Sequence, residues 1–176
     1  MTIWFTADQH YGHANAIKHC NRPFSDVEAM NEALIANHNA LVKPGDSVYM
    51  LGDVTFKIGI ERAASIISRL NGVKYLIRGN HDWNTVRAHE RYGLFSWVED
   101  LHLCSPNGQP IVLCHYAMRV WAGSHRGSWH LYGHSHGKLP GNGMSFDVGV
   151  DCNYYKPISF DEVAAIMQQR KREESL

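Results

Sequence analysis

The stretch YLIRGNHDW (residues 75–83) joins a run of β-favouring residues to a glycine and then to three polar side chains. The apolar run predicts a buried strand, and Gly79 lets the chain turn sharply where that strand ends. Asn80, His81 and Asp82 follow at once, and these residue types bind metals or transfer protons. The stretch therefore predicts a strand whose carboxyl end presents residues able to bind a metal or transfer a proton.

The same arrangement recurs at four other apolar runs of the chain, IWFTADQH, VYMLGD, IVLCH and HLYGHSH, each of which ends in aspartate or histidine. Parallel strands deliver their carboxyl ends to one edge of a sheet, so we expect these polar ends to meet. The candidate metal ligands at the five strand ends are Asp8, His10, Asp53, Asn80, His115, His134 and His136.

This ligand set is too large for one ion and suits two ions that share a carboxylate. Asp53 stands alone at its strand end and is the expected bridging residue. No cysteine belongs to the set, which disfavours a structural zinc site. Mixed nitrogen and oxygen ligands favour two divalent transition-metal ions, with Mn²⁺ as the first choice and Fe, Zn²⁺, Ni²⁺ or Co²⁺ as alternatives.

Composition restricts the class of protein. A chain of 176 residues accommodates one domain with a substantial core. Its 17 basic and 17 acidic side chains balance, so no overall field attracts a polyanion. The cysteines are scattered, the N-terminus lacks signal-peptide features, and no apolar run of about 18 residues occurs. We therefore expect a cytoplasmic protein with no membrane partner.

Hydrophobic periodicity predicts helices over residues 26–42 and 59–70 and a third helix from Ser159. Capping-box patterns mark the starts of the first, at Ser25 and Glu28, and of the third. Strands are predicted in TIWFTA, SVYML, VKYLI, PIVLC, WHLYG and SFDVGV, with a further one in WVEDLHL. The pattern indicates a single-domain α/β sandwich with helices outside and sheets inside.

The ordered motifs D-x-H, G-D, G-N-H-D, a lone H and G-H-x-H resemble those of the calcineurin-like metallophosphoesterases. The resemblance extends from Asp8 to His136, about three quarters of the chain. It implies a four-layer α/β/β/α sandwich spanning residues 1–176 and a dinuclear metal centre. One ion would then be held by Asp8, His10, Asp53 and His136. The other would be held by Asp53, Asn80, His115 and His134. The phrases HANAIKHCNRPF and DVGVDCNYYKPISF resemble small bacterial and phage phosphoesterases within this family.

Two such ions lower the pKa of a bridging water, and the resulting hydroxide would attack phosphorus in line. His81, beside a predicted ligand but assigned to no ion, is the expected general acid; a role as a further ligand is the alternative. Asp82 either orients the His81 imidazole or caps the following turn. The segment GDVTFKIG lacks the second aspartate of the protein-phosphatase motif G-D-x-x-D-R-G, which disfavours protein serine/threonine phosphatase activity.

Other polar residues are candidates for substrate binding. His13 could reach substrate or pack at its turn. A guanidinium pairs two phosphate oxygens, so the arginines are candidate clamps, although surface or structural ion pairs are the alternative for each. The candidate arginines are Arg22, Arg78 and Arg119.

Three aromatic residues, Trp83, Tyr116 and Trp121, are candidates for stacking on a nucleobase, with a place in the core as the alternative. The glycine-containing loop 116–128 is either a substrate rim or an ordinary solvated loop.

The expected function is that of a metal-dependent phosphohydrolase. A phosphodiesterase is favoured over a monoesterase, because a small chain without an obvious cap domain should leave the metals in an open cleft from which both ester substituents can protrude. The expected substrate is a phosphate ester, with a nucleotide or a nucleic-acid end as a candidate. The alternatives are a nuclease or cyclic-nucleotide phosphodiesterase and, from another class, a noncatalytic scaffold that retains the fold.

Overall fold

Short strands form two sheets in the computed structural model, which describes residues 1–173. The first sheet contains β1 (Ile3–Thr6), β2 (Ser47–Met50), β3 (Val73–Ile77), β4 (Val98–Glu99) and, at the far edge, β9 (Ile158–Ser159). The second contains β5 (Leu101–Cys104), β6 (Ile111–Cys114), β7 (Trp129–Tyr132) and β8 (Ser145–Asp147). The helices are α1 (Ala14–His19), α2 (Val27–Leu41), α3 (Ile60–Ile67), α4 (Trp83–Tyr92) and α5 (Phe160–Glu173).

Both sheets are mixed. In the order β4-β3-β2-β1-β9, the first four strands are parallel and β9 is antiparallel to β1. In the order β5-β6-β7-β8, the last three are parallel and β5 is antiparallel to β6. A parallel bridge between Ala7 and Gly149 joins the ends of the two sheets. The carboxyl ends of β1, β2, β3, β6 and β7 therefore approach one another.

Period-2 alternation divides the apolar side chains of the first sheet between its two faces. Val48, Met50 and Leu76 pack against the apolar sides of α2, α3 and α4. On the opposite face, Phe5 and Ile77 join a second cluster that includes β6, β7 and α5. One face of the sheet thus meets helices, and the other meets the second sheet.

The predicted α/β class and the three predicted helices are confirmed, with helical bounds that differ by a few residues. The predicted strand WVEDLHL divides at Asp100 into β4 and β5, which belong to different sheets. Helices α1 and α4 and strand β9 were not predicted from the sequence. Helix α1 and strand β9 are short, and α4 buries only the small side chains of Thr85 and Ala88, so none of them has a strong local pattern.

The two predicted capping boxes have different outcomes. At α2 the prediction is wrong, because Asp26 is the N-cap and its side chain accepts the Ala29 N–H at 2.8 Å. At α5 it is confirmed: Glu162 accepts the Ser159 N–H at 2.8 Å, and the Ser159 hydroxyl accepts the Glu162 N–H at 3.2 Å. None of the helices within residues 1–173 has the length and hydropathy needed to cross a membrane.

Candidate metal centre

The structure brings the predicted metal ligands together in two groups. Within each group, one potential ligand atom per residue lies within 4.8 Å of the others. The first group is Asp8, His10 and His136. The second is Asp53, His115 and His134. Asn80 adjoins the second group, with its Oδ1 atom 3.2 Å from the Nε2 atom of His115.

Asp53 lies between the two groups. Its Oδ2 atom is 3.6 Å from the Nε2 atom of His10 and 3.6 Å from the Nε2 atom of His115. Burial alone raises the pKa of Asp53, but the interactions with His115 and the His81 N–H outweigh it and lower the pKa to about 2. An ionised carboxylate that faces both groups has the position that a bridging ligand requires.

Five of the predicted ligands have left-handed backbone conformations, which are uncommon outside glycine. The positive φ angles belong to Asp8 (59°), His10 (54°), Asp53 (54°), His134 (67°) and His136 (48°). Such conformations persist where surrounding contacts hold them, and they cluster at functional sites. Here, for example, the His134 N–H donates to Asp8 Oδ2 at 2.8 Å. Five of the ten non-glycine residues with positive φ in the described part of the chain are thus predicted ligands.

The three glycines that precede polar residues at the strand ends, Gly52, Gly79 and Gly133, leave no room for a side chain. A Cβ atom at Gly52 would lie 2.5 Å from His115 Nδ1. One at Gly133 would lie 2.7 Å from Asp8 Oδ2 and 2.5 Å from the Cβ atom of Ala7. Glycine at these positions therefore lets the strand ends approach closely enough to form the two groups.

The surroundings of His115 favour a cation beside it. Its Nδ1 atom donates to the Leu51 carbonyl oxygen at 2.7 Å, because a carbonyl only accepts. In the neutral imidazole, Nε2 then carries a lone pair directed at Asn80 Oδ1 and Asp53 Oδ2. Burial lowers the pKa of His115, but Asp53, Asp8 and the Leu51 carbonyl together outweigh it, so the net shift of the pKa is upward. Either a proton or a metal ion would satisfy these converging acceptors.

His136 is oriented by a residue that the sequence analysis missed. Its Nδ1 atom donates to Asp151 Oδ2 at 2.7 Å, which leaves Nε2 for the first group. A carboxylate behind a histidine ligand commonly fixes the ring in metal sites. The run SFDVGV leads to Asp151 as the other runs lead to their ligands, so a signal was present. Cys20, also missed, forms a third group with His136 and Asp151.

Two buried atoms of the first group have no hydrogen-bond partner within residues 1–173: Asp8 Oδ1 and His10 Nδ1. Buried unpaired polar atoms cost free energy, so they call for an explanation. Burial raises the pKa of Asp8 to about 7, partly opposed by His136 and His115. Burial also lowers the pKa of His10 to about 3, against the effect of Asp53. Bare, buried donor atoms of this kind fit a divalent ion.

His81 lies at the open side of the centre. Its side chain is 40% exposed, and its Nε2 atom is 4.0 Å from Asp53 Oδ2. Its backbone N–H donates to Asp53 Oδ1 at 2.9 Å, and its ring packs edge-on against Phe56. His81 belongs to neither group of potential ligands, which favours the interpretation as an acid over that as a ligand.

The Asp82 side chain has neither of its two predicted roles, orienting the His81 imidazole or capping the following turn. Its Oδ2 atom accepts the N–H groups of Asp53 at 2.7 Å and Gly79 at 2.9 Å, and Oδ1 accepts that of Val54 at 2.9 Å. The side chain therefore neither orients the His81 imidazole nor caps α4. Its predicted catalytic role is replaced by a structural one. The fully buried carboxylate fixes the loops that carry Asp53 and Asn80.

Replacing Asp82 by alanine should lower the free energy of unfolding by roughly 3 kcal/mol or more, because three buried N–H groups lose a charged acceptor. Urea unfolding of the two proteins measures the difference. Asp100→Ala is the matched control, since the exposed pair between Asp100 and Arg78 should contribute only about 0–1 kcal/mol. Equal losses in the two variants would contradict the structural role of Asp82.

Arg22 is not a phosphate clamp. Its buried guanidinium donates to the carbonyl oxygens of Asp8 at 2.7 Å and Gln9 at 2.8 Å, and it pairs with both carboxylate oxygens of Asp151. The fifth N–H donor contacts the Met30 sulfur at 3.4 Å, so no donor remains for substrate in this arrangement. The residue instead holds the strained loop after β1 against the carboxylate that orients His136.

The other predicted substrate contacts differ in position. Arg78 pairs with Asp100 at 2.8 Å through two nitrogens and borders a groove beside Asn80. Arg119 borders a different groove, whose lining includes none of the predicted ligands. His13 lines the centre and stacks on Phe56 at 3.6 Å between ring centroids, so its packing at the turn is confirmed, and a contact with substrate stays a prediction. Burial lowers the pKa of His13 to about 4.

The three aromatic candidates for base stacking differ in their exposure to solvent. Trp121 is buried, donates to the Ser128 carbonyl at 3.0 Å and packs near His130, so it belongs to the core. Trp121 and Ser128 are the buried residues of loop 116–128, and most of its other residues are exposed. Tyr116 is half exposed, with its hydroxyl 3.4 Å from Asn80 Oδ1, and Trp83 is 75% exposed.

The two groups open onto a cavity of about 180 Å³, the central cavity. Its lining includes His10, His13, Asp53, His81, His134 and Lys138. Lys138 was not predicted, because an isolated lysine in a polar segment has no local signature. The cavity can hold a phosphoryl group between the predicted ligands and the exposed imidazole of His81.

A scan of protein-family models finds no match for this chain. The uncharacterized protein MJ1445 of Methanocaldococcus jannaschii is 34% identical over 177 residues, covering 96% of this chain and 93% of the relative. The Gene 66 protein of Mycobacterium phage L5 is 37% identical over 81 residues, covering 45% of this chain and 39% of that protein. The crystal structure of the protein of unknown function AQ665 from Aquifex aeolicus matches with a TM-score of 0.74 and 23% identity, over 94% of this chain and 98% of that one. That likeness concerns the fold alone.

Proposed function

This chain belongs to the same family as the uncharacterized protein MJ1445 of Methanocaldococcus jannaschii, and we propose a function for it from the geometry of the candidate metal centre. The chain is a metal-dependent phosphohydrolase, and a phosphodiesterase rather than a monoesterase. A cytoplasmic location and the four-layer α/β/β/α sandwich of the calcineurin-like metallophosphoesterases are part of this proposal. Two sheets that share an apolar cluster support the architecture.

The position of Asp53 carries the proposal. One carboxylate oxygen lies 3.6 Å from a histidine nitrogen of each group, so the two groups share it. Two divalent ions, Mn²⁺ by preference, would be held by the two groups together with Asn80. When bound, such ions lower the pKa of water and neutralise charge on a phosphoryl oxygen.

The residues of the chain supply orientation and a proton. Asp151 and the Leu51 carbonyl set the rings of His136 and His115, so that both Nε2 atoms face the centre. His81 donates a proton to the leaving oxygen of the ester, because its imidazole is exposed at the rim beside Asp53. Lys138 and His13 line the same cavity and contact the substrate phosphate.

The openness of the rim supports a diesterase. His81 and His134 are solvent-exposed, so substituents on both sides of a phosphodiester have room to protrude. The alternative of a noncatalytic scaffold has less support, because all seven predicted ligands and the proton donor are present and assembled.

The test measures metal content and hydrolysis together. Protein stripped with EDTA and reloaded with Mn²⁺ should bind two ions per chain and hydrolyse bis-p-nitrophenyl phosphate faster than p-nitrophenyl phosphate. The same panel should include Ni²⁺, Co²⁺ and Zn²⁺. Binding of two ions without hydrolysis of either ester would contradict the phosphodiesterase, and absence of stoichiometric binding would contradict the metal centre as well.

A further inference from the structure

A second concave surface adjoins the centre on the far side of Asn80. This α4 groove is lined by residues 78–80 at the end of β3 and by Trp83, Val86, Arg87 and Glu90 of α4. The helical residues are spaced i, i+3, i+4 and i+7, so they share one face. Asn80 lines the groove, and its Oδ1 atom lies 3.2 Å from His115 Nε2 of the second group, so a molecule in the groove lies beside the candidate metal centre.

The face of α4 that borders the groove has an unusual surface. The opposite side buries Thr85 and Ala88, as an amphipathic helix should. On the groove side, Trp83 leaves 75% of its surface in solvent. A large aromatic ring exposed on the wall of a groove offers a flat apolar platform. Such platforms stack on nucleobases.

The α4 groove carries charges of both signs, from Arg78, Arg87 and Glu90. Arg78 is already paired with Asp100. Arg87 is exposed and makes no ion pair with any residue of the described chain, 1–173. The groove has a volume of about 440 Å³, within the range of small-molecule sites. A planar group fits the exposed indole of Trp83 and this volume together.

We propose that the α4 groove is a nucleoside site: the base stacks on Trp83, and the attached phosphate points past Asn80 into the central cavity. The substrate would then be a nucleotide ester, either a free nucleotide or the end of a nucleic-acid strand. Only the cleavage of that ester rests on the proposed function, since the groove binds its ligand whether or not turnover follows.

The test is a binding measurement with Mn²⁺-loaded protein. Isothermal titration should show that AMP binds more tightly than ribose 5-phosphate, by roughly 5- to 100-fold if one stacked base is gained. Trp83→Ala should remove the preference, and Trp83→Phe should retain most of it because a phenyl ring still stacks. Tyr92→Ala is the matched control, since Tyr92 is an exposed aromatic of α4 outside the groove.

A wild-type protein that binds AMP no more tightly than ribose 5-phosphate would overturn the proposal, as would a preference that survives in Trp83→Ala. If the protein prefers AMP but hydrolyses neither ester, the nucleoside site is supported and only the proposed phosphodiesterase activity is rejected. A short single-stranded oligonucleotide distinguishes the two sources: tighter, Trp83-dependent binding than AMP would identify a strand end, and equal binding would identify a free nucleotide. Both results support the site.

Discussion

Replacing Asp53 by asparagine should remove Mn²⁺-dependent hydrolysis of bis-p-nitrophenyl phosphate almost completely. The carboxylate faces both groups, and an amide in its place removes the one negative charge that the two predicted metal positions share. Metal ions stabilise phosphoryl transition states by several kcal/mol, so the rate should fall by about 10³-fold or more. Metal analysis should show fewer than two ions per chain.

The matched control for this variant is Asp161→Asn, a change of the same kind at an exposed position in the first turn of α5. That variant should keep both ions and full hydrolysis. Circular dichroism should verify that each protein is folded, because Asp53 also accepts the His81 N–H. An Asp53→Asn protein with two ions and near-normal turnover would refute a shared carboxylate at the centre.

Replacing His81 by alanine should reduce turnover of a dinucleotide by roughly 10²- to 10⁴-fold, the usual contribution of a general acid. The imidazole is exposed and lies outside both ligand groups, so metal content should remain unchanged. The loss should be smaller with bis-p-nitrophenyl phosphate, because p-nitrophenolate is a weak base and leaves without much protonation. This dependence on the leaving group separates proton donation from substrate positioning.

His125→Ala serves as the control, because His125 is exposed in a short helical turn that contains none of the predicted ligands. It should match the wild type with both esters. If His81→Ala loses one ion, His81 is a metal ligand and the alternative assignment applies. If the two esters are slowed equally, His81 positions the substrate and another group donates the proton.

The elements that the sequence predicted best are those with strong local patterns. The helix over 26–42 has a long apolar stripe, and Val27–Leu41 is helical in the structure. The helix α4 has no comparable stripe, because the side chains that it buries are those of Thr85 and Ala88. A hydrophobic pattern reveals large apolar residues on one face, so it does not reveal a helix whose buried side is small and partly polar.

The amino-acid sequence by itself determined which side chains stand at the strand ends, because a polar residue after an apolar run and a glycine is a local feature. Only the tertiary structure decided which other residues hold these strand ends in position. Arg22 and Asp151 are 129 residues apart in the chain yet form one buried pair, and Asp82 binds the backbone of Asp53 across 29 residues. Such partnerships depend on how the strands and loops pack, which no local pattern records.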